Sequence, residues 1–508
     1  MRRALLLALA FLASLLSGCA LPPLTGRSES QALSAAESAD TPLGRALQAQ
    51  VQAHAGLSGV LPLDDALESF AARVLLVRAA QRTLDVQYYI WRDDLTGRWL
   101  LEALRDAAER GVRVRLLIDD NGHALDATLM ALNAHPKIEV RLFNPFTVRH
   151  PKALGFLTDF SRLNRRMHNK ALIADGQVAI VGGRNIGDEY FGATDGVLFA
   201  DLDVLAAGAV LPDLSGDFDR YWASDSAYPI ERIVAAARAA DGRARDQPAA
   251  VSGPRAARFA QALRESRFVA ELLAGAPLPH WVHVEMVSDS PAKALGQARK
   301  RELLTQQLKR VLARAPQHSL DLVSPYFVPT DAGVDVFSGL AASGVRVRIL
   351  TNALEATDVA AVHAGYARHR QVLLRAGVQL YEMRRGATPA GRSGVLGSSG
   401  SSLHAKTFAI DGERVFVGSM NFDPRSAQLN TELGFIIDSP ALAQGINQGF
   451  VRQLATAAYT VQLDDHGELV WLERRDGQVL RHTSEPGGGV LRGAWIGFLS
   501  LLPIEGLL

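Results

Sequence analysis

The sequence predicts an α/β protein built from two tandem copies of one domain, related by pseudo-twofold symmetry. Three observations carry that expectation. GVRVRLLID (111–119) returns as GVRVRILTN (344–352), and MHNKALIADGQVAIVGGRN (167–185) returns as LHAKTFAIDGERVFVGSMN (403–421). The matches keep their order at nearly one spacing, 233 and 236 residues, and so small a drift is what loop insertions produce. Helical and strand periods alternate within each copy, which implies crossover units and a buried, partly parallel sheet. Each long motif also holds an Asp-Gly pair between alternating apolar runs, the signal of a two-residue hairpin turn.

The elements follow in order. Arg2 and Arg3 precede an apolar run, Ala4 to Leu16, and then small residues. This is the pattern of a cleaved secretory leader, assigned to residues 1–18. Cys19, the only cysteine of the chain, closes the run Leu16-Ser17-Gly18-Cys19. That run resembles a bacterial lipobox, and the resemblance implies a lipid anchor on Cys19 at the periplasmic side of the envelope, with the outer membrane favoured because Ala20 follows. Residues 19–55 read as a tether and a polar N-terminal helix. The two domains are assigned to 56–250 and 251–508.

Within each copy an amphipathic helix (Ala66–Ala80; Leu303–Ala313) leads to an apolar strand (Leu84–Ile90; Leu320–Phe327). A second helix (Arg98–Arg110; Val334–Ala342) leads to a β-branched strand (Val112–Ile118; Val345–Leu350) and then a short one (Glu139–Phe143; Val378–Glu382). The hairpin follows. Near the C-terminus, Trp495–Leu502 is too short to span a bilayer; it is expected to pack against the body or, with Trp495 and Phe498 as anchors, to rest in the membrane interface.

Composition excludes several classes. Hydrophobic residues make 48% and charged residues 21% of the 508, which rules out a disordered or fibrous chain. Lys and Arg number 54 against 53 Asp and Glu, so no global basic field favours nucleic acid. One cysteine excludes a disulfide framework or a multi-cysteine metal site.

The chemistry concentrates in the repeated motif. His168 and Lys170 are two apart on a predicted strand, so they project from one face, and His404 and Lys406 repeat this. Asp175 and Asp411 follow at one fixed spacing; Gly183 and Asn185, and Ser419 and Asn421, follow at another. A single H-x-K would be weak. Two in register on a duplicated scaffold leave little room for accident.

The doubled H-x-K-x4-D pattern resembles the phospholipase D superfamily, the HKD proteins, from about residue 58 to the C-terminus. The double copy, the leader and the LLPIE ending look most like bacterial cardiolipin synthases. Arg184 departs from the second copy, which has Met420 there. The resemblance implies two phospholipase D-like domains with the active site at their interface and a covalent phosphohistidine intermediate. It also implies phospholipid substrates at a membrane surface, no nucleic acid, no metal and no diffusible cofactor.

The residues agree with that chemistry. One neutral imidazole can attack phosphorus while the other, protonated, serves the leaving alkoxide. The residues do not decide which; the resemblance implies His168 as nucleophile and His404 as acid. Lys170 and Lys406 would stabilise charge on the phosphoryl oxygens, with Asn185, Asn421, Ser419 and the backbone at Gly183 adding contacts. Asp175 and Asp411 belong to the family motif, though a turn is reason enough for either. Asp203 and Glu432 are the candidates for orienting the imidazoles, 35 residues after His168 and 28 after His404. The insertion Thr147–Arg166 mixes cations with Phe156, Leu157 and Phe160, a seat for head group and acyl chains, and Gly/Ser-rich Arg384–Ser402 is a candidate lid. Cardiolipin synthesis, a hydrolytic phospholipase D, a periplasmic nuclease and a non-catalytic lipid binder stay as alternatives, the last opposed by two intact motifs.

Overall fold

The computed structural model describes residues 21–194, 198–238, 254–311, 315–357, 359–385, 402–452, 454–475 and 477–488. The leader with Cys19, most of the Gly/Ser-rich segment and the apolar C-terminal stretch lie outside the described residues.

Two large sheets carry the fold. The first orders its nine strands as His280–Val282, Ser58–Leu63, Asp203–Gly208, Val178–Gly182, Ala171–Ala174, Thr83–Tyr88, Arg113–Asp119, Ile138–Phe143 and Ala227–Pro229. The ten-stranded second repeats the central order with Leu433–Asp438, Arg414–Gly418, Thr407–Ile410, Ser319–Val323, Arg346–Asn352, Gln379–Met383 and Ala458–Leu463. In each, three strands run parallel through helical crossovers, and the motif hairpin joins them antiparallel. The repeated sequence LD…GVRVR explains part of this register. Asp85 faces Arg115 across neighbouring strands, with Nε donating to Oδ1 at 2.6 Å, and Asp321 and Arg348 repeat the pair at 2.6 Å. Each is a buried ion pair that only one strand alignment satisfies.

Helices are set by their caps. Asp65 accepts from the Leu67 and Glu68 amides to open Ala66–Ala79, and Asp94 accepts from Gly97 to open Leu95–Glu109. Outer cores lie between helices and each sheet. A third, central core joins Ala171, Ile173, Val181 and Val204 of the first half to Ala409, Val415, Val417 and Phe435 of the second. The two halves are thus fused by apolar burial along the same face that carries the hairpins.

Two boundaries differ from expectation. Residues 254–282 still belong with the first half: Pro254–Glu265 packs near Ala66–Ala79, and His280–Val282 pairs with Ser58–Val60. The chain changes sheets at His283, because Val284–Ser288 pairs with Leu433–Ile437, rather than at residue 250. The segment from residue 21 is also no free tether. Its carbonyls at Ser28 and Ser30 accept from buried Arg141 (2.6 Å) and Arg115 (2.9 Å), and Ala32 donates to Asp219. Both guanidinium groups are buried, and the segment accepts from the N–H groups that Asp85, Asp219, Glu139 and the Trp222 carbonyl leave over. The helix Pro42–Ala53 follows.

Candidate active site

The H-x-K triplets do not lie within a strand. Each sits in extended chain just before its hairpin, Ala171–Ala174 or Thr407–Ile410, where the backbone leaves its own sheet to meet the other half. Met167 bridges to Thr431, and the His168 amide donates to the Thr431 carbonyl at 2.9 Å. Ser402–Leu403 pairs with Phe199–Ala200, and the His404 amide donates to Ala200 at 2.7 Å. Each histidine is therefore laid beside a strand of the opposite domain, and the carboxylate that orients it comes from there.

Glu432 Oε2 lies 2.9 Å from His168 Nδ1, and Asp201 Oδ2 lies 2.5 Å from His404 Nδ1. A carboxylate on Nδ1 places the proton there and leaves Nε2 as the working atom. Both rings line one cavity of about 660 Å³, with Tyr89, Tyr190, Phe199, Tyr326, Asn185 and Asn421 around them. Tyr89 stands edge-on to His168 at 5.0 Å, and Tyr190 to His404 at 5.2 Å.

The electrostatics suit an anionic guest. Lys170 and Lys406 are buried beside the rings and donate to the main-chain oxygens of His168 and His404. Burial pushes His168 down to about 4 and His404 to about 3; the neighbouring lysines add to this and the carboxylates oppose it. Burial likewise drives the Lys170 ammonium well below an ordinary lysine. Burial raises the Glu432 and Asp201 carboxyls, but the histidines and lysines outweigh it, and both end below the ordinary range. A phosphodiester entering the cavity supplies the negative charge that lets His404 and the lysines hold their protons.

Several sequence expectations need correction. Asp203 does not orient a histidine. It is buried between Arg73 (2.9 Å) and Arg184 (3.1 Å) and accepts from Ser69. The exchange of Met420 for Arg184 thus has a partner: strand pairing sets Asp203 against Gly182 in the first copy and Gly434 against Gly418 in the second. One copy buries an ion pair where the other buries apolar atoms. Asp175 and Asp411 lie at the far ends of their strands, about 13 Å along from the H-x-K segment. Each accepts three backbone amides, Gln81 to Thr83 and Gln317 to Ser319, so they tie the hairpin to the adjoining strand. Both have φ of 54°, as the first residue of a type I′ turn requires. Ser419 is fully buried and its hydroxyl donates to Glu432, so it braces the carboxylate instead of facing substrate. Gly183 leaves room for Asp201, whose Oδ1 would sit 2.1 Å from a Cβ there.

Asn185 and Asn421 do line the cavity. Asn185 is held at both ends, accepting from the Ile90 amide and donating to Tyr190. Asn421 Oδ1 has no hydrogen-bond partner among the described residues. Asp201 was missed, yet a signal for it existed. Matching FADLDV (199–204) to NTELGF (430–435) sets Asp201 on Glu432, but at an offset of 231 rather than 236. Also unforeseen are Asp423, pushed by burial up to about 7, and Arg425 on the cavity wall. Among the described residues the one grouping of metal-type side chains is Asp120, His123 and Asp126, whose carboxylates are engaged by Arg149 and Lys152.

With this geometry in place, the relatives are informative. Residues 75–222 and 308–454 match the family described as cardiolipin synthase, PLD-like domain, and the chain belongs to that family. It is 46% identical over 460 residues to cardiolipin synthase C of Escherichia coli, covering 90% of this chain and 97% of that one. It is 29% identical to a cardiolipin synthase of Geobacillus kaustophilus over 72% of this chain and 60% of that one. Among solved structures, phosphatidylserine synthase of Haemophilus influenzae shares the fold at TM-score 0.57 and 14% identity, covering 91% of this chain and all of that one.

Proposed function

We propose that this phosphatidyltransferase of the phospholipase D superfamily makes cardiolipin from membrane phospholipids through a phosphohistidine. The observation that carries the reading is the crossed pair of imidazole–carboxylate contacts on one cavity. His168 Nε2 attacks the donor lipid's phosphorus as the bond to its head-group oxygen breaks, and His404 Nε2–H gives its proton to that oxygen. His404, now neutral, takes the proton of an incoming glycerol hydroxyl, whose oxygen displaces His168 from phosphorus. Lys170 and Lys406 offset the charge that grows on the non-bridging oxygens, and Asn185 and Asn421 hold the head-group side.

The leader and Cys19 support a lipid-anchored protein on the periplasmic side of a bacterial envelope, at the outer membrane by the residue after the cysteine. No helix among the described residues is long and apolar enough to cross a membrane. The test is to incubate the protein with vesicles of phosphatidylglycerol and phosphatidylethanolamine and resolve the lipids. Cardiolipin formation, abolished in His168→Ala and in His404→Ala, is expected. Phosphatidic acid alone would convert the reading to hydrolysis, and unchanged lipid would refute it.

A further inference from the structure

We propose that the crest of the insertion helix rests in the surface of a phospholipid bilayer and holds the mouth of the cavity against it. The proposal extends the lipid reading above. Residues Gly155–Leu163 form a helix interrupted at Asp159 (φ −144°, ψ 43°), preceded by a short turn at Lys152–Leu154. Its outer face carries Leu154, Leu157 and Phe160, exposed by 49%, 82% and 52%. Such a cluster beside a polar pocket is unusual on a surface that only meets water. The face is nearly free of charge: the Asp159 carboxylate is held by Arg162 at 2.6 Å.

The helix is mounted rigidly. Phe156 packs on Phe146 at 5.5 Å, and Arg149 and Lys152 fasten the base of the insertion to Asp120. It also stands at the cavity. Its C-terminal cap, Asn164, accepts from the Arg425 guanidinium at 2.8 Å, and Arg425 lines the cavity wall. A donor lipid must present its phosphate inside while its acyl chains stay in the bilayer, so an apolar crest next to the opening meets the membrane at the required place.

Two further facts point to a bilayer over a protein. The chain docks from residue 21 onward, and Arg27 donates to the carbonyl of Ser224 at 2.6 Å. The next turn of the same loop is tied to the helix, since Asn144 donates its amide to the Ser226 carbonyl and its side chain to the Arg162 carbonyl at 2.9 Å. Before Arg27, Arg232 donates to the carbonyls of Pro23 at 2.7 Å and Thr25 at 3.1 Å, so the first described residues lie on the same half of the molecule as the crest. An anchor on Cys19 would draw this half onto the lipid.

Hydrogen exchange of the full chain tests this with and without vesicles of phosphatidylglycerol and phosphatidylethanolamine. Amides of 153–163 should exchange at least about fivefold slower with vesicles. The triple variant L154S/L157S/F160S should lose that protection and make cardiolipin in vesicles about tenfold more slowly, while exchange in the buried strands Thr83–Tyr88 and Arg113–Asp119 stays as in wild type. Unchanged exchange at 153–163 in protein that sediments with vesicles would overturn the proposal. So would protection without vesicles that disappears on deleting residues 490–508, which would assign the crest to the chain's own C-terminal segment. Absence of cardiolipin formation by wild type would instead strike the functional reading, and leaves the exchange result standing.

Discussion

Replacing Glu432 by glutamine removes a charge and almost no volume from a fully buried position. The side chain's Oε2 accepts from His168 Nδ1 at 2.9 Å and from the Ser419 hydroxyl, and an amide oxygen can keep both contacts. What is lost is the charge that fixes the tautomer and supports the ring as it gains a positive charge on bonding phosphorus. Removing the orienting acid of an imidazole costs roughly a thousandfold or more in kcat, about 4 kcal/mol of barrier. Asp201→Asn should cost as much with a natural lipid donor, because it disarms the proton donor His404. The two variants part company on a phosphatidyl ester of p-nitrophenol, whose leaving group needs no proton. There Asp201→Asn should recover most of the rate of the first step, read as the release of p-nitrophenolate, whereas Glu432→Gln should not. If both variants recover alike, or if Glu432→Gln stays within tenfold of wild type on the natural lipid, the division of labour between the two rings is wrong.

Other consequences follow from the same contacts. Asp203→Asn leaves Arg73 and Arg184 buried with no full counter-charge, and should lower stability by about 3 kcal/mol, measured by urea denaturation. Asp175→Ala and Asp411→Ala each remove the acceptor for three backbone amides; about 2 kcal/mol of stability should go with each, while kcat of the remaining folded enzyme stays within about twofold. His168 has a folded pKa of about 4 against 6.5 in the open chain, so the unfolded state binds more protons between those values. Stability should then fall as pH drops from about 6.5 to 4, by roughly 3 kcal/mol from this residue, and His168→Asn should flatten that part of a pH–stability curve.

Much of the architecture was legible in the sequence because it is written twice. The GVRVR and LD segments predicted the parallel strands, and the Asp-Gly pairs predicted the hairpins. The helix beginning at Ala66 was placed to within a residue of its observed end at Ala79. The crossing of the halves was not legible. His168 and Glu432 are 264 residues apart, and nothing local to either residue tells which half supplies its partner. Asp203 and Asp201 are not separable in the sequence for a related reason: both are acidic, two positions apart, and only the pairing of Asp203 with Gly182 shows which one turns to Arg184 and which to the ring. Nor did the polarity of residues 21–41 reveal their docking, since much of what holds them is main-chain N–H and C=O, which every sequence has. The lysines show the opposite case. Their spacing put them on the face of the histidines, and there they lie, although the strand expected to carry them begins one residue later.

Two imidazoles from different halves divide the work on one phosphorus. Rapid quenching of the enzyme with labelled phosphatidylglycerol, followed by digestion and mass spectrometry, addresses this directly. A phosphatidyl group should appear on the peptide holding His168, be absent in His168→Asn, and depend on His404 for its removal by an incoming glycerol. A label on His404 alone would reverse the roles of the two rings, and turnover with no label on either peptide would contradict the covalent mechanism itself.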